Sequence, residues 1–321
     1  MNQQPPDHPS SSSHIMLLNK LVIRYPAFDR AVNRLQECLD YADSGRPRCA
    51  ACFDPSGSGK SHLAAYFASK HPHFDRPNGR IMPVVYVRLL PGLSIKQAAE
   101  QILKALGDPL FMHGNAFNKT DRIYYFIEKC QVRMLILDEA NHFVDNRMGI
   151  VHEASDWLKN LIEATKVAVI LMGIERSIQI LLQDIQLRRR FSAPFTIDPF
   201  TWTEKEDGEE YVSLLEEFTQ AEMKVCVGMR ILREPDFAYR LFCASSGMIG
   251  YTAKFIEEAI IVARREGCID LTLAHFKSGF TEAFIHEGGP VANPFDPAIE
   301  PEPINLFKVS HPRVGTAPRK V

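Results

Sequence analysis

Between residues 28 and 197, short apolar runs alternate with longer segments of helical period. The runs at 49–53, 84–89, 134–137, 167–172 and 194–197 are mostly apolar on both faces. Strands of that kind belong in a parallel sheet covered on both sides. Between them, residues 61–70, 95–106, 122–129, 151–165 and 177–184 read as helices, and an amphipathic segment at 28–41 precedes the first strand. This alternation predicts an α/β class domain of three layers with a parallel sheet, spanning residues 16–201.

After Trp202 the alternation stops. Residues 208–218 open with Glu209 and Glu210, which suit the positive end of a helix dipole. Residues 236–244 and 252–266 follow, with Gly267 as a stop for the latter. Thr272 is placed to cap a last helix running to about residue 285. The pattern predicts a small all-helical subdomain over residues 202–287. Residues 1–15 are polar and predicted disordered. Residues 288–321 carry prolines at Pro290, Pro294, Pro297, Pro301, Pro303, Pro312 and Pro318, which predicts a tail that is extended or disordered on its own.

Composition narrows function more than fold. With 321 residues, 45% of them hydrophobic, the chain can bury a sizeable core. A net charge of −2 gives no bulk attraction to nucleic acid or anionic membrane, so DNA contact would need a local stripe of Lys and Arg. No apolar run approaches the roughly 18 residues of a membrane span, and the first residues lack the plan of a signal peptide. A cytoplasmic location and no membrane partner are therefore expected. Cys49 and Cys52 form a C-x-x-C, but residues three apart on a strand face opposite ways, which predicts buried thiols rather than shared metal ligands.

The chemistry concentrates in 52-CFDPSGSGKSH-62. Gly59-Lys60-Ser61 follows an apolar strand and opens a helix, where unpaired N–H groups and the helix dipole favour an anion. Gly57 and Gly59 let the backbone wrap closely around phosphates. Ser56, Gly57, Ser58, Gly59, Lys60, Ser61 and His62 are thus the candidate cradle for ATP. Lys60 would reach the β- and γ-phosphates and Ser61 would hold Mg²⁺. Asp54 stands where the usual pattern has its first glycine. A carboxylate facing the phosphates would repel them by about 1 kcal/mol or more, whereas one turned away costs little, so a working loop is expected.

The second half of the site is 133-RMLILDEAN-141. Asp138, ending an apolar strand, can orient the metal's water shell, and Glu139 can polarise an attacking water. An aspartate–glutamate pair there points to a hydrolytic ATPase, and the helical region after the α/β domain suggests the lid of an AAA+ protein. Ahead of the last strand, 187-LRRRF-191 offers an arginine cluster able to reach a neighbouring subunit's γ-phosphate. Arg190 is the first candidate and Arg189 the second. Such an arrangement predicts a homo-oligomer, a ring or helical filament.

Together DPSGSGKS, 82-MPVVYVRL-89, 106-LGDPL-110, LILDEANHFVD, 157-WLKNLIEATK-166, VILMG, LRRRF, 292-ANPFDP-297 and 310-SHPRVGTAPRK-320 resemble the transposition-associated AAA+ ATPases called TnsC and TniB, especially those of CRISPR-associated transposons. The resemblance implies an ATP-loaded protein that assembles on duplex DNA and links a target-selection protein to transposase subunits, with hydrolysis resetting the assembly. By the same resemblance, 114-GNAFNKTDR-122 falls at a basic DNA-facing loop, with Lys119 the first candidate and Arg122 and Arg147 after it. The tail is a candidate transposase-binding strap, with anchors Phe295, Ile304, Leu306 and Phe307 and a basic end at Arg313, Arg319 and Lys320. Two departures imply slow turnover: Tyr251 stands where an arginine sensor is usual, with Lys254 the nearest cation, and Ile174 where a polar sensor is usual. A helicase-loader-like ATPase and a nucleotide-bound scaffold with negligible hydrolysis remain alternatives.

Overall fold

The structure, a computed structural model, describes residues 22–42, 44–45, 47–77, 79–92, 94–144, 148–202, 208–220, 227–284 and 292–306. They fall into two compact units, one over Pro26–Asp198 and one combining Pro199 onward with the segment up to Tyr25.

In the first unit, β1 (Ala50–Phe53), β4 (Val84–Arg88), β5 (Met134–Asp138) and β6 (Ala168–Gly173) make a parallel sheet of order β1-β6-β5-β4. Every residue of β1, β5 and β6 is buried, while β4, at the edge, ends in exposed Arg88. Continuous apolar runs therefore mark the strands covered on both faces. Around them lie α1 (Pro26–Ala42), α2 (Lys60–Lys70), α3 (Ile95–Leu106), α4 (Ala116–Lys129), α5 (Met148–Thr165) and the short α6 (Ile178–Gln183) and α7 (Ile185–Arg188).

Local signals set the helix ends. Ser94 and Gln97 form a capping box on α3, and Gly107 closes that helix in the left-handed conformation. Asn115 accepts from Asn118 N–H and starts α4, six residues before the expected 122–129. The antiparallel hairpin β2 (Phe74–Arg76) and β3 (Gly79–Ile81) was not anticipated, although Pro77-Asn78-Gly79 is a turn sequence.

The expected strand at 194–197 is not a ladder strand. Residues 191–197 run extended along β1 through a bridge from Phe191 to Cys49, with Ser192 N–H to Cys49 O at 3.0 Å and Phe195 N–H to Ala51 O at 2.9 Å. Pro194 has no N–H to give, which is consistent with its place at a sheet edge. This segment extends the sheet to the order (191–197)-β1-β6-β5-β4.

The second unit is built from α8 (Gly208–Thr219), α9 (Pro235–Ser245), α10 (Ile249–Arg265) and α11 (Leu273–Phe284). Tyr211, fully buried, bonds Ser245 Oγ at 3.1 Å and Thr252 Oγ1 at 2.8 Å, joining α8, α9 and α10. Here the expectation of a free tail is corrected for residues 292–306. Phe295 is 0% exposed among Phe237, Phe255, Phe276 and Phe280. Arg240 donates to Pro294 O at 2.7 Å and Asp296 O at 3.1 Å, and Lys277 pairs with Asp296 at 2.8 Å. Ile304 N–H bonds Cys243 O at 3.0 Å, and Ile304 and Leu306 are buried. The prolines prevent regular structure, but a phenylalanine and two aliphatic side chains provide enough apolar area to dock the segment. Three of the proposed strap anchors are therefore core residues of this unit. Phe307, Arg313, Arg319 and Lys320 lie outside the described residues. Among the described residues no helix is long and apolar enough to cross a membrane.

Candidate nucleotide-binding site

Parallel strands bring their carboxyl ends to one edge of a sheet, and the candidate chemistry collects there. Asp54 follows β1, Gly173 ends β6, Asp138 ends β5 opposite Arg88, which ends β4, and Glu139 follows. Between β1 and α2 the loop turns through Gly57 at φ 85° and Gly59 at φ 95°, a conformation that excludes most side chains. Lys60, Ser61 and His62 form the first turn of α2, so their N–H groups and the helix dipole face the loop.

Lys60 is buried and folded back on this loop. Its Nζ donates to Asp54 O at 2.7 Å, Pro55 O at 2.6 Å and Ser58 Oγ at 3.1 Å. Burial lowers its pKa, while Cys52, Asp54 and Asp138 act the other way. The Asp54 carboxylate is turned into the protein, where Oδ2 accepts from Ile197 N–H at 2.7 Å, and it leaves the loop's anion face clear. Ser61 and His62 are half-buried, and burial lowers the pKa of His62.

Asp138 is buried and held on both oxygens, by Tyr86 Oη at 3.0 Å and by Glu139 N–H at 2.9 Å. Burial, then Asp138, pushes the Tyr86 phenol up, so it stays protonated as donor. Glu139 adopts the left-handed conformation at φ 59°, and its Oε1 pairs with Arg88 at 3.4 Å. A loop with two positive-φ glycines, a lysine at its helix start, a hydroxyl at the next residue and an oriented aspartate fits a polyphosphate with a divalent cation. Ser61 and Asp138 are the groups that would hold the cation and its water. Above Gly173, Ser177 Oγ and Asn141 Oδ1 are buried without a partner among the described residues. Asn141 escaped the sequence reading, although it closes the LILDEAN run.

The arginine cluster sits at the other end of the sheet. Arg190 O accepts from Cys49 N–H, ahead of β1, whereas the phosphate loop leaves β1 after Phe53. At about 3.3 Å per residue that separates them by about 16 Å, beyond the reach of either arginine toward its own loop. Arg190, the first candidate, is tied to Glu163, and its Nε is buried. Arg189 is exposed, and its side chain has no ion-pair or hydrogen-bond partner among the described residues. Together with Arg48 and Lys166 the two line a cleft of ≈ 630 Å³.

The DNA-facing assignments need correction. Lys119 is 0% exposed, donates to Phe111 O at 2.6 Å and pairs with Glu100 at 3.2 Å. Arg122 binds Asp108 at 2.8 Å, Leu110 O at 2.7 Å and His113 O at 3.0 Å. Lys119 braces the loop between α3 and α4 from within and Arg122 from its partly exposed side, and the donors of both are spent on that loop. Arg147 lies outside the described residues.

Cys49 and Cys52 are both buried, and burial raises the Cys49 thiol to about 12. Glu266, Cys268 and His275 gather in the second unit. Thr272 N–H donates to His275 Nδ1 at 3.1 Å, which leaves the ring proton on Nε2, facing Glu266 at 3.2 Å. The group is a helix cap, with no nitrogen lone pair left for a metal.

Comparison with known structures places the fold. The Aeropyrum pernix ORC1 protein in complex with DNA aligns at TM-score 0.59 and 18% identity, over 84% of this chain and 68% of that one. Cdc6p from Pyrobaculum aerophilum aligns at 0.59 and 13%, over 84% and 72%. The Aeropyrum pernix ORC2 protein aligns at 0.55 and 15%, over 90% and 71%. At these identities the likeness is one of fold, that of a P-loop AAA+ ATPase. No curated protein matches the chain. The sequence model of one family, described as "Bacterial TniB protein", matches residues 16–201.

Proposed function

The chain belongs to the bacterial TniB family, and from that premise we propose that it is an ATP-dependent, DNA-binding AAA+ regulator of DNA transposition. It oligomerises on duplex target DNA and links a target-selection protein to transposase subunits, in the manner of CRISPR-associated transposons, whose tail sequences its own resembles. ATP with Mg²⁺ binds the glycine loop through residues 56–62, with Ser61 and Asp138 holding the metal. Glu139 accepts the proton of the attacking water.

The observation that carries this proposal is the position of Arg189. It is exposed and unpaired among the described residues, at the end of the sheet away from its own phosphate loop. An arginine so placed serves a γ-phosphate only in trans, which makes the site intersubunit and couples nucleotide state to assembly. Arg189 takes precedence over Arg190, whose charge Glu163 already neutralises. With Lys119 and Arg122 committed internally, Arg147 is the remaining named candidate for contact with DNA. The part of the tail offered to transposase starts at Phe307.

Electron microscopy of the protein with duplex DNA and a non-hydrolysable ATP analogue tests the proposal. Rings or filaments are expected with both present and not with DNA alone. Monomers under every condition would refute it.

One observation favours a second reading. Arg88 holds the Glu139 carboxylate in an ion pair, which suits a nucleotide-bound scaffold with negligible hydrolysis. If Glu139→Gln changes neither phosphate release nor the lifetime of DNA complexes, the scaffold reading prevails.

A further inference from the structure

Asp54 occupies the position where the phosphate loop departs from glycine, and its surroundings employ all of its polar groups. The carboxylate, 5% exposed, accepts from Ile197 N–H at 2.7 Å and from Cys52 Sγ at 3.3 Å. Its N–H donates to Gly173 O at 3.1 Å, and its carbonyl accepts from Lys60 Nζ at 2.7 Å. One residue therefore fastens the loop's start to β6, to the extended segment beside β1 and to the loop's own lysine.

We propose that Asp54 is an internal counter-anion for Lys60, a positioning residue that keeps the ammonium folded on the loop without nucleotide and so holds nucleotide affinity in a readily exchanged range. This rests on the nucleotide-binding function proposed above and names what sets the affinity of that site. All three hydrogen bonds of Lys60 Nζ go to loop atoms, and each must be given up for phosphate oxygens. A carboxylate behind the loop stabilises the ammonium before binding and repels the phosphates after it. Both effects subtract from affinity, and both grow in a site removed from water. The charges around the pair are few. Asp198 also faces Asp54, and Asp138, which ends β5, and Glu139 after it face Lys60. Burial raises the Asp54 pKa, and Ile197 N–H, Cys52 and Lys60 offset part of that loss of water.

Charge and scaffolding separate in Asp54→Asn, whose side-chain oxygen still accepts from Ile197 N–H while the negative charge is gone. Fluorescent ATP and ADP analogues are titrated into the full chain and into D54N, with Mg²⁺, at two salt concentrations. Thermal melts without nucleotide check folding. D54N is expected to bind the ATP analogue about three- to tenfold more tightly, with a smaller gain for the ADP analogue and for high salt. Equal or weaker binding by a D54N that melts like the parent overturns the proposal. Should D54N fail to fold, D54S, which keeps a hydroxyl acceptor, is judged by the same criterion. If the parent itself binds neither analogue, the failure lies with the nucleotide-binding function and not with the role of Asp54.

Discussion

Replacing Phe295 by Ala tests whether residues 292–306 are part of the helical unit or a free strap. The side chain is 0% exposed, with ring centroids 5.4–6.0 Å from Phe276, Phe237 and Phe280. Truncating a fully buried phenylalanine costs about 3–5 kcal/mol, the lost transfer energy plus the cavity left behind. Trp202 supplies a local reporter, with ring centroids 5.2 Å from Tyr239 and 5.5 Å from Phe242 in the same unit. In a Trp157→Phe background its fluorescence follows that unit alone, since Trp157 belongs to the other. With a urea slope near 2 kcal/mol/M, a loss of about 4 kcal/mol lowers the midpoint by about 2 M. Phe295→Leu, which leaves less of a cavity, should lower it far less. A Phe295→Ala midpoint within about 0.3 M of the parent would refute the docked segment and restore Phe295 as a free anchor. The outcome also decides how tail binding should be assayed. A chain cut at Pro290 loses Phe295, Ile304 and Leu306 together, so its failure to capture transposase would report damage to the unit. A cut after Leu306 isolates the question.

Arg189→Ala should lower ATP turnover by about a thousandfold while leaving the melting temperature unchanged, and mixing it with Lys60→Ala should restore part of the activity, since each supplies what the other lacks; no restoration would refute the trans assignment. Arg88→Ala frees Glu139 from its ion pair, and phosphate release without DNA should rise by up to about fivefold, the ceiling for an exposed pair worth about 1 kcal/mol. Lys119→Ala should cost about 2–4 kcal/mol in chemical denaturation, because Glu100 is left partly buried and unpaired, while the salt slope of DNA binding stays as in the parent. His62, whose folded pKa burial lowers below 6.5, contributes stability that is full above its unfolded pKa and lost as pH falls from about 6.5 through the folded value. Melting temperatures of His62→Gln against the parent between pH 8 and 5 should converge toward the acid end.

The sheet was legible because its signal is one of composition: β5 and β6 are buried at every position, and continuous apolar runs say so. The loop at Gly57–Lys60 was legible for a different reason, since few sequences place two left-handed glycines and a lysine between a strand and a helix. What escaped depended on single hydrogen bonds. Asn115 starts α4 well ahead of its apolar stripe, and nothing in periodicity marks it. The edge segment at 194–197 looked like a strand because it is mostly apolar, yet Pro194 breaks the ladder that apolarity alone suggests.

Cations are where sequence reasoning failed, and the cause is arithmetic on donors. A lysine has three N–H groups and an arginine five, so each can be absorbed by a few acceptors brought near by folding. Lys119 meets a carbonyl and Glu100, Arg122 two carbonyls and Asp108, and Arg240 the carbonyls of Pro294, Asp296 and Ile299. Those carbonyls belong to irregular segments at 108–114 and 292–299, whose backbone groups lack ladder partners, so a buried or half-buried cation can act as the strut that secondary structure does not provide. A local cluster of positive charge in sequence is thus poor evidence of a nucleic-acid surface wherever loops without regular structure lie nearby. Arg189 is different. It closes α7 through its N–H to Ile185 O, and its neighbour Arg190 pairs with Glu163. Among the described residues its side chain, like that of Arg188, keeps its donors for a second molecule.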